Sequence, residues 1–104
     1  MPRPLGFTSL RILAAIRDGS TYGLEIVRDT ELPSGTIYPT LGRMRRNGLV
    51  RTRWEDQRTA EREGRPRRRY YELTAEGWRA LVEGVARLRD AAEKLSPPLG
   101  SSSG

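Results

Sequence analysis

Punctuation constrains this chain more than any other feature. Asp18-Gly19, Glu31-Leu32-Pro33 and Asn47-Gly48 cut the first half into short segments, and within each segment apolar residues recur at helical spacing. The first segment runs from Phe7, with Thr8 or Ser9 as its cap and Leu10, Leu13, Ala14 and Ile16 as its apolar members. Ser20-Thr21 cap the second, which carries Tyr22, Ile26 and Val27 and runs to about Thr30. Pro33 disfavours helix at the residue before it, so residues 31–33 form a turn. A third helix follows, capped by Ser34 and ended by a left-handed residue at Asn47 or Gly48. Two helices joined by a short turn, behind an initial core helix, is the layout of a helix-turn-helix.

The third helix, 34–46, has two unlike faces. At about 100° per residue, Ile37, Leu41 and Met44 point one way. Gly35, Pro39, Gly42, Arg43 and Arg46 point the other, with Thr36 and Tyr38 on the flanks. The first face suits a core. The second is small, hydroxylated and basic, which suits a phosphate-lined groove, although an ordinary amphipathic helix with a solvated cationic face fits this stretch equally well. Pro39 is irregular, because a proline ring inside a helix clashes with the carbonyl four residues back. Either the turn 35–38 is distorted or the regular helix begins at Pro39.

In the second half the period changes. Leu49 to Trp54 alternates like a strand, and a second strand spans roughly Arg67 to Leu73. The interval Glu55–Arg65 reads as a long loop, which makes a β-hairpin with an outward-reaching tip. Glu55, Asp56, Glu61 and Glu63 mark its first half as solvated, whereas Gly64-Arg65-Pro66-Arg67-Arg68-Arg69 contains no acid and is a local positive field. Phosphate contact by Arg65, Arg67 and Arg68 is expected there. Thr74 caps a last helix, Ala75 to about Leu95, whose apolar residues fall on a heptad. Trp78, Val85 and Ala92 share one register, and Leu81, Leu88 and Leu95 the other, with Val82 beside them. A helix of ~20 residues spans ~30 Å, about the width of a small domain, so its far half is expected to overhang the core and pack on a second copy. Trp54 and Trp78 are read as core residues. Residues 1–6 read as an irregular arm.

With 104 residues the chain holds one modest core and not two. A net charge of +6 and a pI near 10.7 make nucleic acid or an anionic surface the default partner. Of 19 cationic residues only Lys94 is lysine, and arginine is the residue suited to bidentate phosphate and guanine contacts. Cysteine and histidine are both absent. That removes disulfides, thiol nucleophiles, imidazole bases and the usual zinc ligands, so neither an enzyme nor a metal or other cofactor is expected. No apolar run approaches a membrane span and the start lacks a signal-peptide apolar region, which predicts a soluble, cytoplasmic, nucleoid-associated protein.

Taken together, these motifs resemble the PadR-type transcriptional regulators. The resemblance rests on Tyr22-Gly23-Leu24-Glu25-Ile26, Gly35-Thr36-Ile37-Tyr38-Pro39-Thr40-Leu41, Gly48-Leu49-Val50, the run from Gly64 to Thr74, and Gly77, in that order. It implies an α+β, mostly helical fold. In it, a winged helix-turn-helix of three helices and a two-stranded β-wing (1–74) precedes a C-terminal dimerisation helix (75–95); the composition of 96–104, rich in Ser, Pro and Gly, separately predicts a disordered tail. It also implies a homodimer that binds double-stranded DNA, usually as a repressor. The recognition helix would be 34–46, the wing the 54–67 hairpin, and the DNA-contacting set Tyr22, Ser34, Gly35, Thr36, Tyr38, Pro39, Arg43, Arg46, Arg65, Arg67 and Arg68. Dimerisation would fall to Trp78, Leu81, Val82, Val85, Leu88, Ala92 and Leu95. Relatives that bind flat aromatic drugs place a tryptophan midway along the last helix. Here Val85 and Leu88 occupy the middle, so the sequence identifies no small-molecule effector. On the residues alone a second reading stays open, a winged helix serving as a protein-docking or effector-sensing adaptor with its charge only for solubility.

Overall fold

A computed structural model of the chain describes residues 4–96. Residues 1–3 of the arm and all but the first residue of the tail, Ser96, lie outside the described residues. In order the elements are α1 (Phe7–Arg17), α2 (Gly23–Thr30), α3 (Ser34–Arg46), β1 (Val50–Trp54), α4 (Gln57–Arg62), β2 (Arg69–Leu73) and α5 (Ala75–Leu95). The fold is a mostly helical winged helix, with α1–α3 and the start of α5 packed against a two-stranded antiparallel sheet in which Val50 pairs with Leu73 and Trp54 with Arg69. One core holds it together. Leu10, Ile12, Leu13 and Ile16 of α1 meet Ile26 of α2, Ile37, Leu41 and Met44 of α3, Val50, Leu73 and Leu81. Among the described residues no helix is long and apolar enough to cross a membrane.

Four local readings of the sequence are corrected. The expected loop between the strands contains the two-turn helix α4, because Asp56 supplies an N-cap whose carboxylate accepts from Thr59 N–H at 3.3 Å and good helix formers follow. Ser34 does not cap α3. The helix already includes it, and the Pro33 carbonyl accepts from Thr36 and Ile37 N–H at 2.9 and 3.0 Å. Likewise α1 starts at Phe7 behind Gly6 and needs neither Thr8 nor Ser9 as a cap. Ser20 and Thr21 leave the cap of α2 to Tyr22, which has extended backbone and lies outside the helix. Glu25 does part of the capping work instead, its carboxylate accepting from Thr21 N–H at 2.6 Å.

The two helix boundaries that flank the sheet follow the sequence. Gly48 adopts φ +74, and Leu49 N–H then closes on the Met44 carbonyl at 2.9 Å. Thr74 caps α5 by accepting from Gly77 N–H at 3.0 Å. Gly77 has no alternative, since a Cβ there would collide with the Leu49 carbonyl oxygen and lie 3.0 Å from its carbon. α5 therefore leaves the sheet in close contact with the backbone that joins α3 to β1.

Candidate nucleic-acid interface

α3 sorts its residues as the spacing requires. Ile37, Thr40, Leu41 and Met44 are buried, while Ser34, Gly35, Tyr38, Pro39, Arg43 and Arg46 are exposed and Thr36 is half-buried. The helix runs unbroken through Pro39, so it does not begin there. A proline is tolerable there because the carbonyl four residues back belongs to Gly35, in the exposed first turn. Pro39 has no N–H to give that carbonyl, which leaves an acceptor on the solvent face. Thr40 turns its hydroxyl back to the Thr36 carbonyl at 2.7 Å and accepts from the Arg43 guanidinium at 3.1 Å, which holds Arg43 along the helix surface.

Tyr38 is placed by α2. Its ring lies across Gly23 so closely that a Cβ on Gly23 would stand 2.5 Å from Cε1 and 2.7 Å from the hydroxyl. The phenol therefore rests on the first turn of α2 with its side chain 45% exposed.

The sheet approaches the same place through Tyr22. This residue forms a single bridge with Tyr70, and Tyr71 N–H donates to the Thr21 carbonyl at 2.7 Å. The extended segment before α2 thus acts as a short third strand beside β2. The Tyr22 and Tyr70 rings meet edge to face at 6.0 Å, and the Arg68 guanidinium covers the Tyr22 ring at 4.0 Å. Between this strap, Tyr38 and the wing lies an open groove of about 360 Å³.

Trp54 and the arginines form the wing side of that groove. The indole is 53% exposed and is flanked by Arg69 at 4.8 Å and Arg67 at 5.5 Å. It is not the core residue expected from its type. Pairing with Arg69 at the open end of the sheet puts it in the groove, and arginine stacking compensates its exposure. Trp78 is also not core. It is 47% exposed on α5, beside Arg17 and Val82.

Glu55, expected in a solvated loop, is 5% exposed and organises the wing. Arg65 donates to both of its carboxylate oxygens, at 2.6 and 2.8 Å, and Tyr70 O–H and Arg68 N–H also donate to them, at 3.1 and 3.3 Å. Its main chain adds two bonds, Glu55 N–H to the Arg68 carbonyl at 2.8 Å and Arg67 Nε–H to the Glu55 carbonyl at 3.0 Å. The Arg65 hydrogen bonds, aided by those from Arg68 and Tyr70, outweigh desolvation and hold the carboxyl at a pKa of about 2. Arg65, expected to reach for phosphate, is thus engaged inside the wing.

The structure brings Tyr22, Tyr38, Arg67 and Arg68 to one groove and leaves Arg43 and Arg46 further along α3. Arg46 is roughly 16 Å along the helix axis from Gly35 at 1.5 Å per residue. Sequence reasoning missed Gly23, Trp54 and Glu55 as parts of this surface. The glycine at the start of a helix was a usable signal. Glu55 offered none, because its partner is ten residues away across α4.

The residues named for dimerisation divide. Leu81 is 2% exposed inside the domain's own core, a helical position that faces α1, so its side chain is unavailable to a partner. Val85 is half-buried against that core. Val82, Leu88 and Leu95 are 64%, 40% and 86% exposed. Ala92 is exposed too, and from Ala86 onward no described residue of α5 is buried.

Solved structures carry the same architecture. A PadR family transcription regulator from hypervirulent Clostridium difficile superimposes with a TM-score of 0.76 at 25% identity, over 86% of this chain and 95% of that one. A PadR-like transcription factor from Bacteroides fragilis gives 0.73 at 24% identity, over 86% and 87%. The Mycobacterium tuberculosis transcriptional regulator MosR, solved in complex with DNA, gives 0.68 at 30% identity, over 92% of this chain and 65% of that one. No curated protein matches the sequence. The model of the transcriptional regulator PadR-like family matches residues 12–83, most of the chain. The protein belongs to that family, whose members are DNA-binding transcription regulators and not enzymes.

Proposed function

We propose that this chain is a sequence-specific regulator, a repressor, that binds an inverted-repeat operator as a homodimer. One α3 per subunit enters each of two successive major grooves about one helical turn apart. The observation that carries the reading is the face of α3. Tyr38, Pro39 and Arg43 stand exposed above a fully buried Ile37, Leu41 and Met44, with a wing bearing Arg67 and Arg68 alongside.

Thr36, Tyr38, Pro39 and Arg43 make the groove contacts. The Pro39 ring meets a thymine methyl, and Arg43 in bidentate contact with guanine contributes about 1–3 kcal/mol of discrimination. Tyr22 and Ser34 anchor the backbone, and Gly35 and Arg46 lie on the same face. Arg67 and Arg68 contribute affinity through phosphates or the minor groove, with little sequence preference. Dimerisation falls to the exposed apolar face of α5, Trp78, Val82, Leu88, Ala92 and Leu95, with Val85 at its margin. That reading is supported by an apolar stripe that continues past the end of the core.

The test is a titration of the protein against its own upstream DNA and against random duplex at two salt concentrations. Preferential binding to the native sequence is expected, with log K falling by roughly 0.9 per phosphate neutralised for each unit of log salt. Equal, weak binding to both duplexes would refute the proposal and favour the adaptor. Within the specific complex, Arg67→Ala/Arg68→Ala is expected to reduce the salt slope by up to roughly 2 per subunit. An unchanged affinity and slope would remove the wing from the mechanism.

A further inference from the structure

The wing contains more arginine than it presents. Residues 65–69 contribute four arginines, yet Arg65 is set apart from its neighbours by a single buried acid. Both terminal nitrogens of Arg65 lie on the two oxygens of Glu55, with side chains 23% and 6% exposed. Arg67 and Arg68 are held differently. Among the described residues only Nε of Arg67 is engaged, by the Glu55 carbonyl, and its guanidinium carbon lies 5.5 Å from the centre of the Trp54 ring. Arg68 makes its bond to Glu55 through the main chain, and its guanidinium lies over the Tyr22 ring at 4.0 Å. Stacking of this kind fixes the plane of a guanidinium while leaving its N–H edge free. Glu55 therefore neutralises Arg65 through its carboxylate, holds Arg67 through its main-chain carbonyl and Arg68 through the Arg68 main-chain N–H, while Arg69 lies over the Trp54 ring.

We propose that Glu55 is a positioning and specificity-determining residue, one that withholds Arg65 from DNA and fixes the directions of Arg67 and Arg68. This rests on the DNA-binding reading above. The physical argument concerns selectivity. A freely moving arginine at the rim of the groove adds phosphate attraction to every sequence equally, which narrows the margin between operator and random DNA. Arginines held in one orientation reward only the docking geometry in which α3 is also seated, since Arg68 is stacked on the Tyr22 strap that leads directly into α2.

The test uses the full chain, with the preferred and random duplexes and salt titrations of each. Glu55→Gln keeps the size and one acceptor but removes the charge that holds Arg65. The slope of log K against log salt is expected to steepen by roughly 0.9 per subunit as Arg65 gains a phosphate. Binding to random duplex should strengthen several-fold, and the ratio of specific to random affinity should fall. Glu55→Gln/Arg65→Gln removes one charge of each sign, and its slope is expected to return to the wild-type value.

An unchanged slope and ratio in Glu55→Gln would overturn the proposal. So would a steeper slope that persists in the double variant, because the extra contact would then not be Arg65. If the single variant does not fold, the double variant alone decides, since a slope shallower than wild type would mean that Arg65 already touches DNA. Failure of the functional reading is distinct, because in that case the wild type itself shows no preference between duplexes.

Discussion

Gly23→Ala tests how the site is assembled. Ordinary carbon–carbon contact is about 3.5 Å, and the new Cβ would meet Tyr38 Cε1 at 2.5 Å, so the phenol must retreat by about 1 Å. It is the ring that gives way, being 45% exposed, and not the α2 backbone. Forcing it off its rotamer costs about 0.5–1.5 kcal/mol, against a gain of at most about 1 kcal/mol from replacing a helical glycine. The change in stability should lie between about 0.5 kcal/mol gained and about 1.5 kcal/mol lost. DNA binding should respond differently. If Tyr38 makes its proposed contact as a hydrogen bond from the hydroxyl to a phosphate, that bond is worth about 1.5–3 kcal/mol, and its loss weakens each half-site by roughly 10- to 150-fold. Fluorescence anisotropy on the preferred duplex, alongside thermal unfolding, measures both, and Tyr38→Phe should reproduce the affinity loss without the steric change. Unchanged affinity at unchanged stability would refute the reasoning, as would an affinity loss accompanied by a large fall in melting temperature, which would mean that the backbone had moved.

Gly77→Ala should act in the opposite sense. Its Cβ meets the Leu49 backbone, so overpacking of about 1–3 kcal/mol exceeds the helix-propensity gain and lowers the melting temperature by roughly 10 °C at about 4–8 °C per kcal/mol; an unchanged or raised melting temperature would contradict the packing described. On α5, Leu81→Ala should cost about 2–5 kcal/mol of unfolding free energy in denaturant titration. Leu88→Lys should leave the fold intact and halve the sedimentation mass, and an unchanged mass would rule out this helix as the dimer interface. The Glu55 carboxyl titrates at about 2 in the folded chain against an ordinary 4.5. Its contribution to stability is therefore whole above about pH 4.5 and is lost as pH falls toward about 2. Glu55→Gln should flatten this acid limb in tryptophan fluorescence, and an identical limb in both proteins would remove Glu55 from the acid transition.

The elements of the fold were legible because helix and strand periods and glycine or proline breaks are local. Ile37, Leu41 and Met44 announced the buried face of α3, and Thr74 and Gly48 behaved as their types require. The capping residues were less legible. Serine and threonine near a helix start are common, and at Ser34 and Thr21 the backbone or a later glutamate did the work. The exposed placement of the candidate residues was legible where they lie on a regular helix, at Tyr38, Pro39 and Arg43. It was illegible where it depends on pairing across the chain. Tyr22 looked like a helical apolar residue but serves as a strand, and Trp54 looked like core but stacks between arginines. Glu55 looked solvated because nothing local reveals an ion pair that closes around a small helix.

The junction at Gly48-Leu49 has a mechanical consequence. The main chain there receives Thr74, whose hydroxyl donates to the Gly48 carbonyl and whose N–H donates to that of Leu49. Gly77 rests on the same peptide, and Leu49 N–H reaches back into the last turn of α3. The helix proposed to join two subunits and the helix proposed to read DNA are thus hinged on one pair of residues, with no loop between them to absorb slack. In such a linkage, a small tilt between paired copies of α5 becomes a swing of the two reading heads. In the proposed dimer, the separation of the half-sites would then be set by the pairing of α5 and not by the α3 face itself.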